Sequence, residues 1–118
     1  MIFLNYAGDI LFEKRFPIPG DCWVNELYEL TFKKSVELFH ESLPDIISGK
    51  YKLKPQKSFL NNRKTSLHFR KEIEKLKKID LSWNKEKIEK HIRATFMPGF
   101  EPPYTIINNK KVYFGKDK

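Results

Sequence analysis

Cysteine, histidine and glycine are scarce in this chain, and each scarcity removes a class of function. The lone Cys22 excludes an internal disulfide and any multi-cysteine zinc or iron–sulfur site. It stands at an expected helix start with no base beside it in sequence, and it reads as a small buried hydrophobe. The three histidines, His40, His68 and His91, are far apart and fall on three different expected helices, so they read as structural or surface groups and no metal site is expected. Five glycines form no phosphate-cradling loop, and neither a His-Glu-x-x-His helix nor a Gly-x-Ser-x-Gly elbow is present. Long apolar runs are also missing: Asp9, Glu13 and Lys14 break the most hydrophobic stretch well short of the roughly 18 residues a membrane span needs. That start has no basic region ahead of an apolar one and no small-residue cleavage site, so the expected address is the cytoplasm.

What remains is a basic, aromatic-rich chain of 118 residues, 40% hydrophobic and 32% charged, with a net charge of +8. Those values suit one small globular domain or a piece of a larger one. The charge is unevenly placed. Residues 1–49 carry four basic and eight acidic side chains, residues 50–93 fifteen and five, and residues 94–118 four and two. A basic middle attracts phosphate-bearing partners, with Arg63, Lys64, Arg70 and Lys71 as candidate phosphate contacts. The plainer reading is a solvated lysine face.

Along the chain, Ile2-Phe3-Leu4 and the alternation of Ile10, Phe12 and Phe16 with Leu11, Glu13 and Arg15 predict a half-buried strand. Pro17-Ile18-Pro19-Gly20 ends it, and Asp21 is placed to cap a helix. Tyr28, Phe32, Val36, Phe39, Leu43, Ile46 and Ile47 recur at three- and four-residue spacing, which predicts a long helix from about Cys22 to Ile47 with one apolar face, kinked or divided at Pro44 and stopped by Ser48-Gly49. Residues 50–66 read as a linker. A second helix is expected from Thr65 or Ser66 to about Lys78 with Phe69, Ile73 and Leu76 as its stripe, and a third, capped by Ser82, carries Trp83, Ile88 and Ile92. Tyr104–Ile107 and Lys110–Phe114 flank Asn108-Asn109, whose tolerance of positive φ predicts a terminal β-hairpin. The fold class is therefore α/β to α+β: a strand and long helix over residues 1–57, then linker, helices and hairpin over residues 58–118. Tyr104, Tyr113 and Phe114 on the hairpin are candidate interface residues, and a homodimer would bury them.

Gly8-Asp9 interrupts an apolar strand, where a carboxylate is unfavourable; from pattern alone a turn or bulge residue bonded to backbone is favoured over a site. Taken in order, Gly8-Asp9-Ile10-Leu11, Glu26-Leu27-Tyr28, Leu43-Pro44 through Gly49, Pro55-Gln56, Ile79-Asp80, Ile92-Arg93-Ala94 and Pro98-Gly99 resemble the 10-formyltetrahydrofolate-dependent formyltransferases. The resemblance covers nearly the whole chain but only the second half of that family's catalytic domain, with a short C-terminal extension. It implies a partial Rossmann-like domain and transfer of a formyl group from 10-formyltetrahydrofolate to an amine. The short tail is similar to that of sugar N-formyltransferases, whose acceptor is a nucleotide-linked amino sugar, more than to that of methionyl-tRNA formyltransferases. The family's upstream Asn-x-His pair has no counterpart here, and Tyr6 stands where its catalytic aspartate is expected. Gly8 and Asp9 match the motif that orders the loop, and Arg93 matches a residue anchoring the C-terminal helix. The resemblance thus implies a formyltransferase-like protein that is truncated, split or degenerate, inactive and without the folate cofactor as an isolated chain, with a second copy or a missing N-terminal half as its partner. A small basic nucleic-acid-binding module and a dimerisation scaffold are the alternatives.

Overall fold

A computed structural model describes residues 8–59 and 66–116. Ile2-Phe3-Leu4, Tyr6, Arg63 and Lys64 lie outside the described residues. Helix α1 spans Val24–Ser48, followed by a 3-10 turn at Gln56–Phe59, α2 at Glu72–Lys77, α3 at Lys85–Thr95, and strands β1 at Tyr104–Ile107 and β2 at Lys110–Tyr113. The elements gather into two compact units. Among the described residues, the first holds those up to Pro17 together with those from Thr31 to His68, and the second holds Ile18–Leu30 and those from Phe69 onward.

In the first unit, α1 from Thr31 onward is the dominant element. Its end follows the expected chemistry. Gly49 takes φ +71°, its N–H reaches the Ile46 carbonyl at 3.3 Å, and the Lys50 N–H reaches the Asp45 carbonyl at 2.9 Å. These two bonds satisfy carbonyls that the last turn leaves unpaired, in the Schellman arrangement that glycine favours. Pro44 does not divide the helix, which continues through it to Ser48. The proline sits near the C-terminal end, where a missing N–H costs one bond close to carbonyls that are unpaired in any case.

Residues 10–16 alternate in exposure as expected, with Ile10, Phe12, Lys14 and Phe16 half-buried and Leu11, Glu13 and Arg15 exposed. They do not form a strand of a sheet, because among the described residues only Ile10 has a pairing partner. Ile10 and Lys54 exchange both backbone hydrogen bonds, at 2.7 and 2.9 Å, in an isolated antiparallel bridge. Lys14 ties the segment to α1 through Glu41 at 2.6 Å and Glu37 at 3.2 Å. The Lys14 pKa is raised mainly by its bond to Glu41, and that of Glu37 is lowered by Lys34 and then Lys14.

The apolar face of α1 is not a core. Tyr28, Phe32, Val36, Phe39, Ile46 and Ile47 are all exposed, Phe32 at 65% and Phe39 at 57%. A helix stripe of this width normally packs on a second layer, and no such layer covers it among the described residues.

The second unit is organised around Ile79, which is 1% exposed and donates its N–H to the Tyr104 carbonyl at 2.7 Å. Lys78 pairs with Tyr104 in a parallel bridge, so the segment leaving α2 lies against β1. The hairpin is the expected one: Tyr104 pairs with Tyr113 and Ile107 with Lys110, and the turn residues Asn108 and Asn109 take φ 50° and 59°. Positive φ at both positions is what a two-residue turn matched to strand twist requires.

The helices of this unit differ from expectation at their starts. Helix α2 begins at Glu72, so Ser66–Phe69 and His68 are outside it. Helix α3 is capped by Asn84, whose side chain accepts the Lys87 N–H at 2.8 Å. Ser82 instead donates its N–H to Asp80 at 2.8 Å, and Trp83 precedes the helix. Asparagine and serine are comparable caps; the Asp80–Ser82 turn removes Ser82 from contention. Likewise Asp21 does not close the start of α1. Glu26 does, accepting the Trp23 N–H at 2.9 Å, as the glutamate of a capping box would.

Candidate functional site

The Gly8-Asp9 corner is built by residues distant in sequence. Gln56 donates its side-chain amide to the Gly8 carbonyl at 2.9 Å, immediately beside the Ile10–Lys54 bridge. The fold therefore brings together two segments that carry the resemblance, Gly8-Asp9-Ile10 and Pro55-Gln56, through backbone-directed bonds. Asp9 is exposed on this tethered loop and lines a hollow of about 390 Å³ with Ile10, Phe12, Leu38, Phe39 and Ser42.

This geometry presents one carboxylate at the mouth of an apolar hollow, suited to hold an amine or to accept one proton. Among the described residues its lining shows no donor aimed at the oxyanion that forms on the formyl carbon in formyl transfer. The hollow also does not fit a folate. A pteridine edge needs several convergent polar groups, and this lining offers the Asp9 carboxylate and two serines, Ser35 and Ser42, among apolar side chains.

A second concave surface lies wholly within the second unit, about 740 Å³ and lined by Lys75, Lys78, Asp80, Trp83, His91 and neighbouring apolar residues. The His91 ring lies tilted at 47° against Trp83 with centroids 4.6 Å apart, while the Lys87 ammonium lies 4.2 Å from the same indole. Asp80 is held below the usual carboxylate range, first by the Ser82 hydroxyl and then by its N–H. The motif aspartate therefore acts as the acceptor that shapes the turn into α3.

Of the remaining candidates, Arg70 borders a separate apolar hollow with Ile73, Lys77 and Phe100, while the neighbouring Lys71 is exposed at the start of α2. Arg93 is half-buried in the last turn of α3. Tyr104 and Tyr113 face each other across the hairpin at 6.3 Å, and Phe114 donates its N–H to the Pro103 carbonyl at 2.9 Å. Lys111 joins Glu101 at 2.8 Å and lies 4.3 Å from the Tyr104 ring, and the Tyr113 hydroxyl donates to Glu101 at 3.3 Å. These tyrosines thus share one charged cluster, a role that alternation along a strand does not reveal. Cys22 is half-buried, its thiol 3.4 Å from the Trp23 carbonyl. Among the described residues no three His, Cys, Asp or Glu side chains gather to hold a metal, and no helix is long and apolar enough to cross a membrane.

Glu101 and Glu26 are held low as well, Glu101 by Lys111 and Glu26 by the Trp23 N–H and then Lys116. A carboxylate whose pKa is lower folded than unfolded stabilises the fold above its ordinary value, and the contribution disappears as pH falls through the folded value. The urea midpoint of the second unit is therefore expected to be flat from about pH 7 to 5 and to fall below about pH 4. Asp80→Asn should weaken that acid dependence; an unchanged profile in the variant would remove Asp80 from the account.

No family model matches the chain, and no curated protein matches it in sequence. In three dimensions it matches the crystal structure of a 4-N formyltransferase from Francisella tularensis, with TM-score 0.74 and 23% identity. The match covers 95% of this chain and 46% of that one. The fold is thus similar to part of that enzyme's, consistent with a partial α/β domain with a helical region and a terminal hairpin. The chain spans about half the length of the enzyme it matches.

Proposed function

We propose that this chain is one part of a formyltransferase that moves a formyl group from 10-formyltetrahydrofolate to the amine of a nucleotide-linked amino sugar, and that alone it does not turn over. The observation that carries this reading is the Gln56–Gly8 tether, which joins two of the resembling segments within a fold shared with a 4-N formyltransferase. The neighbour's name, a 4-N formyltransferase, supports an acceptor nitrogen at a 4-position. Such a transfer needs a group that takes the proton the attacking amine loses. Asp9 is the described carboxylate nearest the shared motif, and its place supports a role in ordering the loop.

The test is to incubate the purified chain with 10-formyltetrahydrofolate and a nucleotide-linked 4-amino sugar and follow release of tetrahydrofolate. The expected result is no release above the uncatalysed rate. Robust turnover would overturn the reading of the chain as a part. A second reading, a basic module for phosphate-bearing polymers, is favoured by Lys75, Lys78 and Lys87 around Trp83; RNA binding that weakens steeply with salt would favour it.

A further inference from the structure

The outer edge of β1 is open where it borders the larger hollow of the second unit. A two-residue turn makes Ile107 and Lys110 the pair that exchanges hydrogen bonds, so every second residue of β1 turns its backbone N–H and C=O away from β2. Tyr104 is one of these, and its carbonyl accepts the Ile79 N–H at 2.7 Å; Pro103, one residue earlier, faces inward and accepts the Phe114 N–H at 2.9 Å. Ile106 is the next outward-facing residue. The segment that pairs with Tyr104 leaves β1 after Ile79 through the Asp80–Ser82 turn, so the outward N–H and C=O of Ile106 have no partner among the described residues.

The hollow at this edge, about 740 Å³, exposes Leu76, Leu81 and Ile106 at 52%, 55% and 42%. Lys75 and Lys78 also line it; both are exposed, and neither ammonium has an ion-pair partner among the described residues. The one carboxylate of the lining, Asp80, is bonded to the Ser82 hydroxyl and N–H and is close enough to Lys87 and Lys78 to feel their charge.

We propose that this hollow docks an extended acidic peptide of a partner protein. Its backbone pairs with Ile106 as an added strand, its apolar side chains cover Leu76 and Leu81, and its carboxylates meet Lys75 and Lys78. Successive side chains of a strand point to opposite sides, so an alternating acidic and apolar peptide satisfies both rows at once, while its main chain supplies the donor and acceptor that Ile106 faces. A nucleic acid would use the same lysines, but it needs an open aromatic face for its bases. Here the Trp83 ring already has His91 at 4.6 Å and the Lys87 ammonium at 4.2 Å. The inference is independent of formyl transfer, since every residue it uses lies in the second unit, away from the Gly8-Asp9 corner.

The experiment is an anisotropy titration of the full chain into a fluorescent, end-capped peptide of alternating Glu and Val, with amide hydrogen exchange of the complex followed by NMR. The expected result is saturable binding that weakens as salt is added, with slowed exchange at the Ile106 amide. Lys75→Glu combined with Lys78→Glu should weaken binding by at least about tenfold, because like charges would then face each other. Lys90→Ala, exposed on α3 outside the hollow, should leave it unchanged. Both reversed lysines are exposed, so an unchanged far-UV spectrum will show that the double variant folds. Absence of binding, equal binding of a Lys–Val peptide, unaltered exchange at Ile106, or indifference to the charge reversal would overturn the proposal. Tighter binding of oligouridylate RNA, lost with the same two lysines, would also overturn it and assign the hollow to nucleic acid.

Discussion

Ile79→Ala is expected to lower the stability of the second unit by about 2–5 kcal/mol, the range for emptying a buried isoleucine site. Ile79 is 1% exposed, and it sits where the segment leaving α2 meets β1 through the Lys78–Tyr104 bridge. Truncation leaves a cavity that the neighbouring backbone cannot readily fill, because the Ile79 N–H is already bonded to the Tyr104 carbonyl at 2.7 Å. With a urea slope of about 1–3 kcal/mol per molar, the midpoint should fall by roughly 1–2 M or more. Ile79→Val should cost only about 0.5–1.5 kcal/mol. Equal effects of the two substitutions would mean that shape at this site is not what stabilises it.

Trp23→Ala should be the next most damaging change, at about 2–3 kcal/mol, below the range for a fully buried aromatic because Trp23 is only half-buried. Its indole meets Phe96 edge-on at 5.7 Å and 89°, and the Lys116 ammonium lies 5.0 Å from the ring while also bonding Glu26 at 3.0 Å. One side chain thus connects the first turn of α1, the end of α3 and the tail. Lys116→Ala removes only the exposed part of that arrangement and should cost under about 1 kcal/mol. Urea unfolding followed by far-UV circular dichroism checks both. A Lys116 effect as large as that of Trp23 would shift the weight from ring packing to charge.

Much of the local structure was legible in the residues. The seven apolar positions from Tyr28 to Ile47 mark α1, Gly49 marks its end, and Asn108-Asn109 marks the hairpin, because each depends on spacing or on a backbone preference that one residue type satisfies. The helix starts were less legible. Asp21, Ser82 and Asn84 can all cap, and which of them does so depends on turns such as Asp80–Ser82 that only form in the folded chain. The partners of Trp23 were hidden for another reason: Phe96 and Lys116 are far along the sequence, and no periodicity links them.

The sequence by itself determined the helical and strand periods, the hairpin turn, the basic middle, and an order of motifs similar to half of a formyltransferase. These are properties of neighbouring residues, whose sterics and hydrogen bonding act over a few positions. Tertiary structure alone decided that Gln56 holds Gly8, that Ile79 rather than the α1 stripe is buried, and that residues 10–16 alternate like a strand with a single partner. Burial and pairing are relations between distant segments, so a chain can carry the pattern of a core helix and an inner strand while the surfaces those patterns call for are not among its described residues.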